Sequence, residues 1–360
     1  MLVLVTHFWR YPVGYEAINR FARTGWVGVD LFFVLSGFLI TGILWDARDS
    51  TQYYRNFYAR RVLRIFPLYY ALLFVVFVLL PLHGVGPALR AVLDDRALYL
   101  TYLANVALVL HGWQVFPLDI TWSLAIEEQF YLIWPFVVRR LSGRALLVGL
   151  ACTVATTPVV RTGALLGFNA GWMATHMLTP FRLDSLALGG IVAIGLRQGL
   201  FDPAALRRRA GWILLVVGSV LAALIVTDRF GRDSLVVGTI GYSLLAVFFA
   251  ALLVRTLSPG GVLSQVLGHP VLRRIGLVSY GMYIVHPLCL MVAGTALSRV
   301  GIDLDILTPW PLVNSTVALV VFSACAYGIA ELSFRFFERP MLALKERFRP
   351  DPMPRALTPA

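Results

Sequence analysis

Apolar runs of about 17–24 residues recur along this 360-residue chain and leave little sequence between them. A helix needs about 20 apolar residues to cross a bilayer, so the pattern predicts an all-α, polytopic membrane protein. Membrane β-barrel strands would be shorter and would alternate apolar with polar residues. Composition agrees: 59% of the residues are hydrophobic and 14% charged, against roughly 45–50% and 25% in a soluble domain. An ordinary soluble enzyme is excluded, and the segments between runs are too short for a second domain.

Eleven runs can be traced, from Met1–Trp9 to Leu312–Phe334. Arginine-rich loops belong on the cytoplasmic side, which constrains how many runs cross. The loop with Arg48, Arg55, Arg60, Arg61 and Arg64 and the loop with Arg139, Arg140 and Arg144 are both cytoplasmic by that rule. An even number of crossings must separate them, yet three runs do. The run Ala97–Leu110 would reach only about 21 Å as a helix, against a hydrocarbon core of about 30 Å, so it is read as re-entrant or interfacial. About ten transmembrane helices remain, with both termini cytoplasmic in a multi-pass protein of the cell membrane. On this topology 21 cations fall on cytoplasmic segments and nine on outer ones. The net charge of +12 would suggest nucleic acid in a soluble protein; here the loops account for it, and no nucleic-acid partner is expected. Residues 1–340 form the membrane domain and 341–360 a cytoplasmic tail, disordered after Phe348 where four prolines follow. Met1–Trp9 would extend only about 14 Å, a half-span at most. Cys152, Cys289 and Cys325 sit singly inside apolar runs and form neither a disulfide framework nor a metal site.

An ionisable group deep in lipid costs about 2.5–3.5 kcal/mol on insertion scales, so each needs a reason. His7, Asp30, Glu127, Glu128, Arg182, Asp184, His286 and Glu331 fall in or at the runs. Ser123, Glu127 and Tyr131 stand at i, i+4 and i+8, one polar stripe on an apolar helix. Ser279, Tyr283 and His286 share another face. Arg60, Arg61 and Arg64 converge on one helical turn, where guanidinium forks suit phosphate. Each has a bland alternative: a structural ion pair for the carboxylates and for Arg182 (with Asp184 or Glu127), a hydrogen bond across helices for His286, plain positive-inside topology for the arginines. Gly25, Gly28 and Gly37 allow close helix approach, and packing alone accounts for Ser36 beside them.

Seven segments in order resemble the acyltransferase 3 family of integral membrane acyltransferases: Leu2–Phe8 with His7, Gly28–Ile40 with Asp30 and Ser36, Arg61–Pro67, Trp122–Tyr131, Phe181–Asp184, Ser279–Pro287 with Tyr280 and His286, and Phe337–Pro340. The resemblance implies a ten-helix domain that takes an acyl group, usually acetyl, from cytoplasmic acyl-CoA to a hydroxyl of a carbohydrate or lipid-linked glycan. Acyl-CoA is the donor substrate, and neither a cofactor nor a metal is expected. It implies His7, Asp30 and Glu127 as catalytic residues, with His7 as base or acyl acceptor and a carboxylate orienting it. Arg60, Arg61, Arg64, Ser36, Trp122, Tyr131, Arg182, Tyr280 and His286 would bind substrate. One departure stands out: the family has an arginine about ten residues before its first-helix histidine, and only six residues precede His7. The competing class is a transporter or flippase, since buried charges serve proton relays too.

Overall fold

The helices follow the apolar runs, with short pieces where the runs break. In chain order they are α1 (Leu2–Phe8), α2 (Glu16–Arg23), α3 (Gly28–Asp46), α4 (Tyr53–Phe74), α5 (Pro87–Asp94), α6 (Arg96–Leu100), α7 (Ala104–His111), α8 (Phe116–Asp119) and α9 (Trp122–Arg140). The second half comprises α10 (Gly143–Gly167), α11 (Trp172–Met177), α12 (Leu183–Arg197), α13 (Pro203–Val226), α14 (Tyr242–Thr256), α15 (Val262–Leu267), α16 (Pro270–Arg299), α17 (Pro311–Ser333) and α18 (Arg339–Ala343). The structure is a computed structural model and describes residues 1–257 and 260–348, among which there is no strand. Starts are written locally: Asp202 caps α13 by accepting from the Ala205 amide at 2.7 Å, with Pro203 in the first turn.

Seven helical stretches are long and apolar enough to cross a membrane: Glu16–Asp46, Tyr53–Leu82, Gly143–Gly167, Pro203–Val226, Val237–Thr256, Pro270–Arg299 and Pro311–Phe348. This is a multi-pass membrane protein, but three of the ten expected spans do not meet that test. α1 has seven residues, α12 has 15, and α9 has 19 of which four are charged. The reason is physical. α1 and α12 fall short in length, whereas α9 is an inner helix with much of its surface against protein and so carries charges that a lipid-facing helix would not. α13 is the opposite case, exposing Trp212, Leu215, Val216 and Val220 as a lipid-facing helix does. The run Ala97–Leu110 is interrupted: α6 ends at Leu100, Tyr102 takes a positive φ of 57°, and α7 starts at Ala104. Residues 344–348 form a 3-10 turn after α18 and fold against α4, with the Arg55 guanidinium 5.6 Å from the Phe348 ring. The segment expected to be disordered, 349–360, lies outside the described residues.

Two glycines set the geometry around which the rest packs. A Cβ on Gly37 would collide with the Leu186 carbonyl oxygen, so α3 and α12 pack backbone to backbone. A Cβ on Gly25 would strike the Leu2 carbonyl oxygen and the Thr6 hydroxyl, so only glycine lets α1 lie against the turn that leads into α3. Phe8 is fully buried, its ring 5.5 Å from Phe322 of α17. A helix too short to hold itself in a membrane is thus seated from two sides.

Four fully buried charges fasten α3, α10, α12 and α14. Arg182 pairs with Asp30, and Arg161 with Asp184 at 3.3 Å. Arg161 also donates to the Phe181 carbonyl (2.7 Å), the Thr239 carbonyl and the Ser243 hydroxyl (2.8 Å). The Tyr242 ring lies 3.8 Å from the Arg182 guanidinium carbon. This corrects the expected pairing of Arg182 with Asp184 or Glu127. Asp184 faces α10 and α14, where Arg161 takes it, and Arg182 turns to α3. Glu331, counted with the deep ionisable groups, instead pairs with Arg274 near the surface.

Candidate active site

Pro287 decides the chemistry of the site. A proline within a helix has no N–H for the carbonyl four residues back, so the Tyr283 carbonyl of α16 has lost its helical donor. His286 Nδ1 lies 2.7 Å from that oxygen. A carbonyl only accepts, so His286 Nδ1 carries the proton. Its Nε2 lies 3.1 Å from Nδ1 of His7. His7 Nδ1 is also 3.0 Å from the Val3 carbonyl, so it too is protonated and shares its N–H between Val3 and His286. Two N–H groups cannot face one another, so His286 Nε2 accepts from His7 Nδ1 and the His286 ring is neutral. Among the described residues none hydrogen-bonds His7 Nε2, so in the neutral His7 ring the lone pair lies on that atom.

His7 lines a cavity of about 250 Å³ at the end of the bundle where α3, α9 and α12 begin. Trp26, Trp113, Trp122 and Phe116 supply apolar walls, and Asp119, His176, Arg232 and Tyr283 the polar groups. The Phe116 ring meets His7 edge-on at 5.4 Å. Asp119 accepts from the Gln114 amide at 3.0 Å, and burial raises its carboxyl above the ordinary range. His176 is buried among Trp26, Trp122 and Trp172, with Nδ1 at 2.7 Å from the Tyr242 hydroxyl.

From this cavity a polar stripe runs into the bundle. The Ser123 and Tyr283 hydroxyls are 2.7 Å apart. One turn on, Tyr131 donates to Glu127 Oε1 at 3.1 Å, and Ser36 hydrogen-bonds the Tyr131 oxygen. The Arg61 guanidinium then lies 5.4 Å from the Tyr131 ring centre. The stripe from Ser123 to Tyr131 covers about 12 Å of helix and joins the His7 cavity to the arginine-bearing start of α4.

Several expected residues fall elsewhere. Neither Asp30 nor Glu127 hydrogen-bonds His7: Asp30 is committed to Arg182, and Glu127 to Tyr131 within the stripe. Asp30 and Arg182 do not line the cavity; the carboxylate that does is Asp119. Tyr280 donates to the Ile65 carbonyl at 2.8 Å and ties α16 to α4 rather than facing the cavity. Ser279 points outward to the Gly276 carbonyl, so only Tyr283 and His286 of that face turn inward. Arg64 is exposed and Arg60 half-buried, leaving Arg61 as the arginine that reaches the stripe. Arg161, Trp113, Asp119, His176 and Arg232 were not anticipated. Of these only Arg161 offered a signal, as a charge inside an apolar run.

The acyltransferase-domain family profile matches residues 1–328. The chain is 28% identical over 348 residues to the peptidoglycan O-acetyltransferase OatA of Listeria monocytogenes, covering 91% of this chain and 53% of that protein. It is 29% identical over 346 residues to the putative peptidoglycan O-acetyltransferase YrhL of Bacillus subtilis, covering 91% and 52%. A putative O-acetyltransferase of Staphylococcus aureus is 25% identical over 361 residues, covering 91% and 54%. The chain thus spans about half the length of the curated relatives it matches. No solved structure matches. The chain, a multi-pass helical bundle matched by the family profile along nearly its whole length, belongs to the acyltransferase 3 family.

Proposed function

We propose that the chain moves an acetyl group from acyl-CoA, bound at the Arg61 end, to a carbohydrate hydroxyl that enters the His7 cavity from the other end. The observation that carries this reading is that the Val3 carbonyl and the His286 tautomer set by Pro287 together engage Nδ1 of His7, a residue lining the cavity, so that Nε2 is the ring nitrogen left to react. That nitrogen takes the proton of the acceptor hydroxyl as the hydroxyl oxygen attacks the thioester carbonyl. The C–S bond breaks, and the imidazolium returns the proton to the departing thiolate as CoA–SH. Transfer by way of an acyl-imidazole uses the same atom as nucleophile. Positive charge that develops on the ring is spread through Nδ1–H to the Val3 carbonyl and His286.

The donor side rests on Arg61. A guanidinium at the end of a polar stripe suits a phosphate-bearing donor whose thioester lies at the tip of a long arm. In this reading α1, α9 and α12 complete ten crossings with both termini cytoplasmic, which puts Arg61 on the side where acyl-CoA is found. The relatives named as peptidoglycan O-acetyltransferases bring a cell-wall glycan forward as the acceptor class. Asp30 and Arg182 serve as a helix clamp rather than as site residues.

The test is transfer across a membrane. Full-length protein is reconstituted in vesicles with radiolabelled acetyl-CoA on one side and a carbohydrate acceptor on the other. The expected result is labelled acceptor only where the Arg61 end faces the donor. Label that crosses as free acetate or intact donor, with no ester on the acceptor, would favour the transporter class instead.

A further inference from the structure

A second cavity of about 580 Å³ adjoins the His7 cavity, and Trp26, Trp113 and Arg232 line both. Its walls come from α2, from the loop before α8, from α11 and from the loop 227–234. Two features distinguish it. The first is aromatic: the Trp113 and Trp172 rings stand 6.5 Å apart at 44°, broad apolar faces beside polar neighbours. Such faces take the C–H side of a sugar ring while its hydroxyls find polar groups at the edge. The second is charge. Arg20, Arg23 and Arg232 line the cavity against Asp228 and Asp233, a net charge of +1. Arg20 is occupied, donating to the Val226 carbonyl at 2.7 Å with Asp228 at 3.9 Å. Among the described residues, no carboxylate lies within ion-pair distance of Arg23 or Arg232. Arg23 stands 5.4 Å from the Tyr11 ring centre and Arg232 5.7 Å from that of Trp113. Arg232 is half-buried, and burial lowers its pKa. The Asp233 carboxylate, beyond ion-pair distance, acts against this only in part, and a ligand anion in contact with the guanidinium would offset the remaining cost of withdrawing it from water.

We propose that this vestibule binds an anionic acceptor glycan, with a sugar face on Trp113 and Trp172 and a carboxylate or phosphate of the glycan held by Arg232 and Arg23. This deepens the acyltransferase reading and rests on the acceptor entering at the His7 cavity. Arg232 lines both cavities, so the anionic group belongs to the sugar being acylated or to its neighbour. Neutral glycans meet the same aromatic faces but leave the two guanidinium groups without partners, which is the basis of discrimination.

The test measures binding, so that it does not depend on turnover. Purified full-length protein in nanodiscs of zwitterionic lipid is titrated with three oligosaccharides of equal length: neutral N-acetylglucosamine units, a chain with a carboxylate on alternate sugars, and one bearing phosphate. At least one anionic chain is expected to bind about tenfold or more tightly than the neutral one, the size of a lost charge-assisted hydrogen bond. Arg232→Gln should remove that preference and leave neutral binding as it was. Arg23→Gln, at an exposed position, should weaken it in the same direction, which guards against a fold defect in the first variant. Equal binding of neutral and anionic chains, no binding of any, or an equal loss for all chains in Arg232→Gln overturns the proposal. Nanodiscs with anionic lipid form a further arm: if the variants reduce only lipid retention and not glycan binding, the arginines serve headgroups and the proposal fails. Acetyl-CoA turnover is measured separately on the wild type. Turnover without a preference for anionic glycan refutes this proposal alone; the preference without any turnover refutes the acyltransferase reading.

Discussion

Replacing Pro287 with alanine separates the chemistry of the site from its stability. Alanine restores an N–H that competes with His286 Nδ1 for the Tyr283 carbonyl, now held at 2.7 Å. The hydrogen bond that fixes the His286 tautomer is then shared, and Nε2 loses its assured lone pair for His7 Nδ1–H. A net hydrogen bond is worth about 0.5–1.5 kcal/mol, so kcat should fall about 2- to 13-fold if the bias acts fully in the transition state. Stability should move the other way or not at all, because an interior proline costs a helix about 3 kcal/mol relative to alanine. The assay is acetyl transfer at saturating acetyl-CoA on purified protein, with a thermal melt of the same preparation. An unchanged kcat, or a loss accompanied by a lower Tm, would refute the claim that Pro287 acts through the tautomer.

Other substitutions probe the frame and the donor end. Gly37→Ala pushes a Cβ into the Leu186 carbonyl and should cost about 1–3 kcal/mol by overpacking, whereas Gly149→Ala, with open space around its Cβ, should leave Tm unchanged or raised. Asp30→Asn leaves Arg182 buried without its counter-charge, a loss of about 3–5 kcal/mol. It should lower Tm and yield while the folded fraction keeps its kcat, and a fall in kcat at constant Tm would return Asp30 to the catalytic machinery. Arg61→Ala should raise the KM for acetyl-CoA about tenfold or more, from the loss of a charge-assisted contact. Arg64→Ala, exposed and away from the stripe, should have a smaller effect; equal effects would mean that the stripe does not lead to the donor.

The rule that buried ions need a reason found most members of the clusters from sequence: His7, Asp30, Glu127, Arg182, Asp184 and His286. It could not say who meets whom. Arg182 reaches Asp30 rather than Asp184 because α3 and α12 cross backbone to backbone, and that crossing depends on Gly37 and Gly189 at distant points in the chain. The stripe Ser123–Glu127–Tyr131 was legible because helical periodicity is local; its partners Ser36, Tyr283 and Arg61 come from three other helices. Trp113, Asp119 and Arg232 lie in short segments between runs, where no periodicity marks a facing side. The link from Pro287 to the Tyr283 carbonyl follows from the proline's position alone, four residues on, but it bears on a backbone group, which a search for buried charges does not reach. The span count fell short for a related reason. Hydropathy detects lipid-facing helices, while α9 is built to face protein, and α1 and α12 fold as helices shorter than a full span.

The most direct measurement compares His7→Ala with wild type in a single experiment, quantifying membrane insertion, melting behaviour and acetyl transfer to a carbohydrate acceptor. The account predicts normal insertion, a Tm close to wild type and a fall in acetyl transfer of about 10²-fold or more, the range of a lost general base. His7→Ala protein that transfers acetyl at near the wild-type rate would contradict the central claim, which places the reacting nitrogen on His7.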